Sequence, residues 1–146
     1  MNVRQILDKK GRDIFTVDEN SMVYDAIYTM SNKNIGALVV TCGGKLCGMI
    51  SERDYRDKVI LKGKASKETR VKEIMTRNVF CVTEDYGLQD CMSIMSEKKI
   101  RHIPVIDQET SLKGIISIGD IVKAVIDEQK LEIQDLRNYI TSSYPG

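Results

Sequence analysis

Two stretches of this chain set the same polar groups at the same spacing. GMISERD (48–54) and GIISIGD (114–120) both read Gly-apolar-apolar-Ser-x-x-Asp, and both lead into an apolar helical pattern. Ser51 with Asp54, and Ser117 with Asp120, have the spacing of a capping box. In that arrangement the serine accepts from a free helix N–H while the acid reaches back to the main chain. The same geometry could also meet a ligand. Free N–H groups and the helix dipole attract a phosphate. A serine hydroxyl can donate to one of its oxygens, and an aspartate one turn on can accept two hydrogen bonds from the cis-diol of a ribose. The glycine three residues ahead lets a ligand or another backbone approach. Spacing alone leaves the cap and the nucleotide site both open.

Three cations stand near these motifs. Arg53 lies inside the first, and Arg101 and His102 precede the apolar run IPV. When the two motifs are aligned, their partners are Gly119, Gly36 and Ala37, none of them charged. An arginine–phosphate contact is charge-assisted and worth about 1.5–3 kcal/mol, so unequal cations predict unequal sites. The competing reading is that all three are ordinary surface charges.

The four cysteines, Cys42, Cys47, Cys81 and Cys91, show no C-x-x-C spacing, and His102 is the only histidine. This argues against a zinc site and against a Cys–His enzyme. Cys91 falls on the apolar side of a helical pattern. The four thiols are expected to be small buried hydrophobes in a reducing compartment. Cys42 and Cys47 flank a Gly-Gly turn and are the one pair worth testing as a disulfide.

The elements that position these groups come from a duplication, which is sought before any local reading. Residues 14–40 align without a gap on 79–105 at an offset of 65, pairing Phe15 with Phe80, Val17 with Val82, Asp25 with Asp90 and Ile35 with Ile100. One inserted residue moves the offset to 66, and Gly48, Ser51, Asp54 and Val59 then meet Gly114, Ser117, Asp120 and Val125. Upstream, VRQIL (3–7) echoes VKEIM (71–75). Each copy reads in the same order. IFTV or VFCV suggests a strand. Val23, Ala26, Ile27 and Met30, like Leu88, Cys91, Met92 and Met95, follow the i, i+3, i+4, i+7 spacing of one helix face. GALVV and HIPVI read as strands, CGGK and DQETS as turns, and LCGMIS and LKGIIS as return strands ending in a second helix. The predicted class is α/β in the α+β sense: two β-α-β-β-α units packed with pseudo-twofold symmetry, each completing the other's core. Pro104 should sit at a strand start or on an edge. Residues 1–60 form the first copy, 61–70 a polar linker, 71–127 the second copy, and 128–146 a helical extension and tail. Val122, Val125, Ile126, Ile133, Leu136 and Ile140 share a broad face of that last helix. The face either packs on its own domain or makes a dimer contact.

Composition sets outer limits. The 22 Lys and Arg nearly cancel the 21 Asp and Glu for a net charge of +1, which argues against nucleic-acid binding by bulk charge. No apolar run approaches the roughly 20 residues of a membrane span. The start MNVRQILDKKGRD lacks the apolar stretch of a secretion signal. A soluble intracellular protein is expected, cytoplasmic or organellar.

The duplicated G-h-h-S-x-x-D, the strands GALVV and RHIPV, and the Thr-Val of the first strand together resemble a tandem pair of CBS domains, a Bateman module, over about residues 1 to 127. SERDY and RHIPVI are similar to stretches of stand-alone CBS-pair proteins of bacteria and plants. The resemblance implies a non-enzymatic sensor with no obligatory cofactor that binds AMP, ADP, ATP, NAD or S-adenosylmethionine. It implies that Asp54 and Asp120 hold ribose hydroxyls and that Ser51 and Ser117 face the phosphate end. Thr16 would stand near ribose and base, with Cys81 departing from that pattern in the second copy. Ala37, Met49, Ile100, Ile103 and Ile115 would line the base pocket, and Arg53, Arg101 and His102 would meet phosphates. It also implies a homodimer, and it leaves open an adaptor for a thioredoxin-type partner with vestigial clefts.

Overall fold

The computed structural model describes residues 1–143, so the last residues of the expected tail, 144–146, lie outside it. In the first copy, helix α1 (Val3–Lys10) precedes strand β1 (Thr16–Asp18), helix α2 (Val23–Lys33) and strands β2 (Ala37–Cys42) and β3 (Lys45–Ser51). A short helix α3 (Glu52–Tyr55) then widens into a π-helical turn over Arg56–Ile60. The second copy runs through α4 (Val71–Ile74), α5 (Leu88–Lys98), β4 (His102–Ile106), β5 (Leu112–Ser117) and the long α6 (Ile118–Ser143). The fold is α+β, as the alternating periods predict. No helix among the described residues is long and apolar enough to cross a membrane.

Several bonds of one copy recur at the matching residues of the other. Ala37 pairs with Ser51 across the first hairpin, and His102 with Ser117 across the second. Glu52 N–H donates to the Gly36 carbonyl at 3.1 Å, and Ile118 N–H to the Arg101 carbonyl at 2.8 Å. α2 and α5 both end in a left-handed residue, Asn34 and Lys99, each at φ 54°. Lys33 stacks over Phe15 at 5.1 Å, and Lys98 over Phe80 at 5.0 Å.

One expected strand is nearly absent. β1 pairs in parallel with β2 over three residues, whereas VFCV keeps a single bridge, Val82 with Val105. Pro104 stands where the first copy has Val39. Having no N–H, it cannot donate the bond that would carry the ladder back past Cys81. β4 is therefore an edge strand apart from that bridge, a place that tolerates proline.

The opening helices are exchanged between copies, which the β-α-β-β-α reading did not contain. Val3, Ile6 and Leu7 of α1 are buried with Val82, Leu88, Cys91, Ile103, Ile116 and Ile121 of the second copy. Val71, Ile74 and Met75 pack with Val23, Met30, Leu38, Ile50 and Val59 of the first. Matching bonds fix the exchange. Val3 N–H donates to the Tyr86 carbonyl at 2.9 Å, and Val71 N–H to the Ser21 carbonyl at 2.8 Å. Each core is thus closed by a helix from the other copy.

Candidate functional site

Both motif serines sit where a strand becomes a helix, and both capping boxes are formed. Asp54 Oδ2 accepts from the Ser51 N–H at 3.0 Å and the Ser51 hydroxyl at 3.1 Å, while the Asp54 N–H donates to Ser51 Oγ at 3.3 Å. In the second copy the corresponding distances are 2.8, 2.9 and 3.2 Å. The extended end of each return strand holds the serine, and the first helical turn brings the acid back over it.

A lysine completes each cap, and the two lysines are not equivalent in the repeat. Lys58 Nζ lies 3.0 Å from Asp54 Oδ1 and donates to the Ile74 carbonyl at 2.9 Å. Lys10 Nζ lies 2.6 Å from Asp120 Oδ2 and donates to the Ile115 carbonyl at 2.7 Å. Each lysine ties a motif to an exchanged helix. The carboxylates consequently differ. Asp54 is engaged through both oxygens, while Asp120 Oδ1 has no hydrogen-bond partner among the described residues. Neither lysine was anticipated. Lys58 could have been found from its i, i+4 spacing to Asp54, but Lys10 is 110 residues from Asp120 and carries no local signal.

The motif glycines have a partner. A Cβ on Gly48 would lie 2.8 Å from Met75 Sδ and 2.9 Å from the Thr76 carbonyl oxygen, and one on Gly114 would lie 2.7 Å from Leu7 Cδ2. Leu7 and Met75 occupy matching places in the exchanged helices. Of the two uses expected for these glycines, close approach by another part of the chain is the one observed.

The other expected site residues are only partly gathered. Thr16 is exposed at the start of β1, opposite Val39, which in turn opposes the half-buried Met49. Ala37 is nearly buried at the start of β2. Gly36 and His102 face each other across the copies, with His102 Cε1 3.6 Å from a Cβ built on Gly36. Burial pushes the His102 imidazole below its usual range, as do the charges of Lys10 and Arg101, while Asp120 acts the other way. Ile115 is half-buried, whereas Ile103 is fully buried in the second core and presents no surface to a base.

A cavity of about 570 Å³ lies against α5 and α6, lined by Arg53, Lys99 and Arg101 and by apolar residues that include Ile100, Met92 and Val122. Arg53 reaches across the copies to the Lys99 carbonyl at 3.4 Å. Asp54 does not line the first cavity, and Asp120 lines a second of about 290 Å³, beside Lys10 and Lys123.

The cysteines correct one expectation. Cys42 and Cys47 are half-buried and joined as a disulfide, with Cα atoms 5.8 Å apart. The hairpin register shifts between Val40, opposite Gly48, and Thr41, opposite Leu46. Cys47 is the extra residue of that bulge, which re-aims it. Glu19, Cys42 and Cys47 bring one ligand atom each within 4.8 Å, but thiols joined to each other cannot ligate a metal. Cys91 is buried as expected, and burial pushes the Cys81 and Cys91 thiols above their usual range.

This duplicated strand–cap–helix unit, with its exchanged opening helices, defines a class of paired regulatory domains, and the comparisons name it. The CBS domain matches residues 3–60 and 71–127, and the chain belongs to that family. It is 43% identical over 127 residues to the mitochondrial CBS domain-containing protein CBSX3 of Arabidopsis thaliana, covering 84% of this chain but 61% of that protein. A solved CBS-domain protein of Burkholderia ambifaria MC40-6 is 48% identical with a TM-score of 0.86, covering 88% of this chain and 96% of that one. The CBS domain pair of protein MJ0100, solved in complex with 5'-methylthioadenosine and S-adenosyl-L-methionine, is 28% identical with a TM-score of 0.78, covering 88% and 98%.

Proposed function

We propose that this chain is a non-enzymatic regulatory module. It binds an adenosine-containing ligand (AMP, ADP, ATP or NAD) beside its two Ser–Asp caps and passes occupancy to a partner, acting as a homodimer within the cytoplasm or an organelle. The observation that carries this is the pair of half-buried caps, each closed by three hydrogen bonds, two of them accepted by the carboxylate. A carboxylate has about four lone-pair sites, so a ribose diol can be accepted without breaking the cap. The MJ0100 pair, with its two adenosine-containing ligands, supports the ligand class.

A diol arriving at Asp54 Oδ1 competes with Lys58. One arriving at Asp120 Oδ1, unpartnered among the described residues, draws charge from the oxygen pair that Lys10 holds through Oδ2. Both lysines tether exchanged helices, so occupancy is felt at α1 and α4. A ligand shifts an equilibrium only by its differential affinity for two states, and these tethers are where the states would differ. Thermal-shift measurement with AMP, ADP, ATP, NAD and S-adenosylmethionine tests the reading. A true ligand at 100 times its dissociation constant adds about 2.7 kcal/mol of stability. Absence of any shift with all five at millimolar concentration would end the proposal.

The Cys42–Cys47 disulfide favours a second reading, an adaptor for a thioredoxin-type partner. That reading expects the reduced and oxidised forms to differ in partner binding with no nucleotide present.

A further inference from the structure

We propose that α6 from Ile126 onward pairs with the same helix of a second copy of this chain as a parallel, in-register, two-stranded coiled coil. The inference rests on the homodimer reading above but adds a surface and an orientation to it. α6 docks on its own domain through Ile121 and Ala124, which are buried. From Gln129 to Thr141 every side chain is exposed, so nothing among the described residues covers that stretch.

The exposed apolar residues are ordered. Val122, Ile126, Gln129, Ile133, Leu136 and Ile140 follow at steps of four, three, four, three and four residues. This is the alternation of a heptad seam, averaging about 3.5 residues. The five apolar ones are each 44% to 59% exposed. At about 100° per residue the seam lies roughly 120° around the helix from the docking face. Val122 and Ile126 also line the large cavity, so the seam continues into the apolar surface beside α5.

The occupant follows from the seam's own chemistry. Isoleucine fills the a positions 126, 133 and 140, and leucine the d position 136, the combination that favours two parallel strands. Gln129 stands at one d position and meets its own copy only when the helices are in register. In a parallel pair Glu132, at g, faces the second copy's Arg137, at e, and symmetry makes the pair twice. In an antiparallel pair the e positions, Lys130 and Arg137, would face each other as like charges.

The test uses the full chain carrying Leu136→Cys or, on the opposite side of the helix, Leu131→Cys, under mild oxidation. We expect Leu136→Cys to form a covalent dimer and Leu131→Cys to stay near the background of the parent protein. Sedimentation of the Ile133→Glu/Leu136→Glu protein should show dimerisation weakened at least ~10-fold, about 1.4 kcal/mol. If the parent is a dimer whose affinity this double change leaves intact, and Leu136→Cys does not cross-link, the coiled coil is wrong while the homodimer stands. A parent that is monomeric at every concentration overturns both.

Discussion

Asp54 and Asp120 hold the same structural post under different electrostatics, and the difference was invisible in the repeat. Asp120→Ala removes a cap and strands Lys10, whose side chain is 29% exposed. The cap accounts for about 1 kcal/mol and the partly exposed ion pair for less. Urea unfolding should therefore show a loss of about 1–2 kcal/mol; a loss near zero would mean the box contributes nothing to stability. His102 predicts a pH dependence. Its imidazole resists protonation in the fold, whereas in the unfolded chain it takes a proton near its ordinary value of about 6.5. The unfolded state then binds more protons, so stability falls as pH drops below about 6.5 and is retained above it. His102→Gln should flatten that part of a stability–pH curve measured between pH 7.5 and 5. An unchanged slope would show that His102 is not its source. The serines and acids were legible as capping boxes because that pairing depends on a spacing of three. Ile103 was misjudged because its neighbours Arg101 and His102 suggested a cleft, while strand alternation turns its side chain inward.

At the scale of elements, the exchange of α1 and α4 explains the motif glycines better than a ligand does. Gly48→Ala would push a methyl group into Met75 and the Thr76 main chain, whereas Gly114→Ala would meet only the methyl end of Leu7. Main chain yields less than a side-chain terminus, so Gly48→Ala should cost about 1–3 kcal/mol and Gly114→Ala less. Chemical denaturation of the two variants checks the order, and the reverse order would contradict the packing described. Helices α2, α5 and α6 and both hairpins could be read from period and turn chemistry. The short first strand of the second copy could not. Its loss traces to one missing N–H, that of Pro104, acting on a segment far earlier in sequence, where the ladder stops at Val82.

For the whole molecule, duplication yields two related capping boxes that differ in the charge around them and in hydrogen-bond capacity. Arg53, Lys99 and Arg101 gather at one cavity, and Lys10 and Lys58 hold the two acids differently. Calorimetry on Asp54→Ala and Asp120→Ala should accordingly show unequal losses of nucleotide binding. Equal losses would mean the asymmetry has no bearing on affinity. The C-terminal helix extends beyond both cores and carries the exposed apolar seam on which the coiled-coil proposal rests.

What the sequence determined by itself was whatever depends on near neighbours: the duplication, the two capping boxes, the Gly-Gly hairpin and the helical faces. These follow from backbone periods of 2 and 3.6 and from short side-chain reach, so a single line of residues contains them. Only the tertiary structure decided that the opening helices change places, that Lys10 reaches Asp120, that the motif glycines accommodate Leu7 and Met75, and that the end of α6 lies uncovered. Each of these is a relation between segments far apart in the chain. Such pairings are selected by the burial of whole faces, and no local spacing records them.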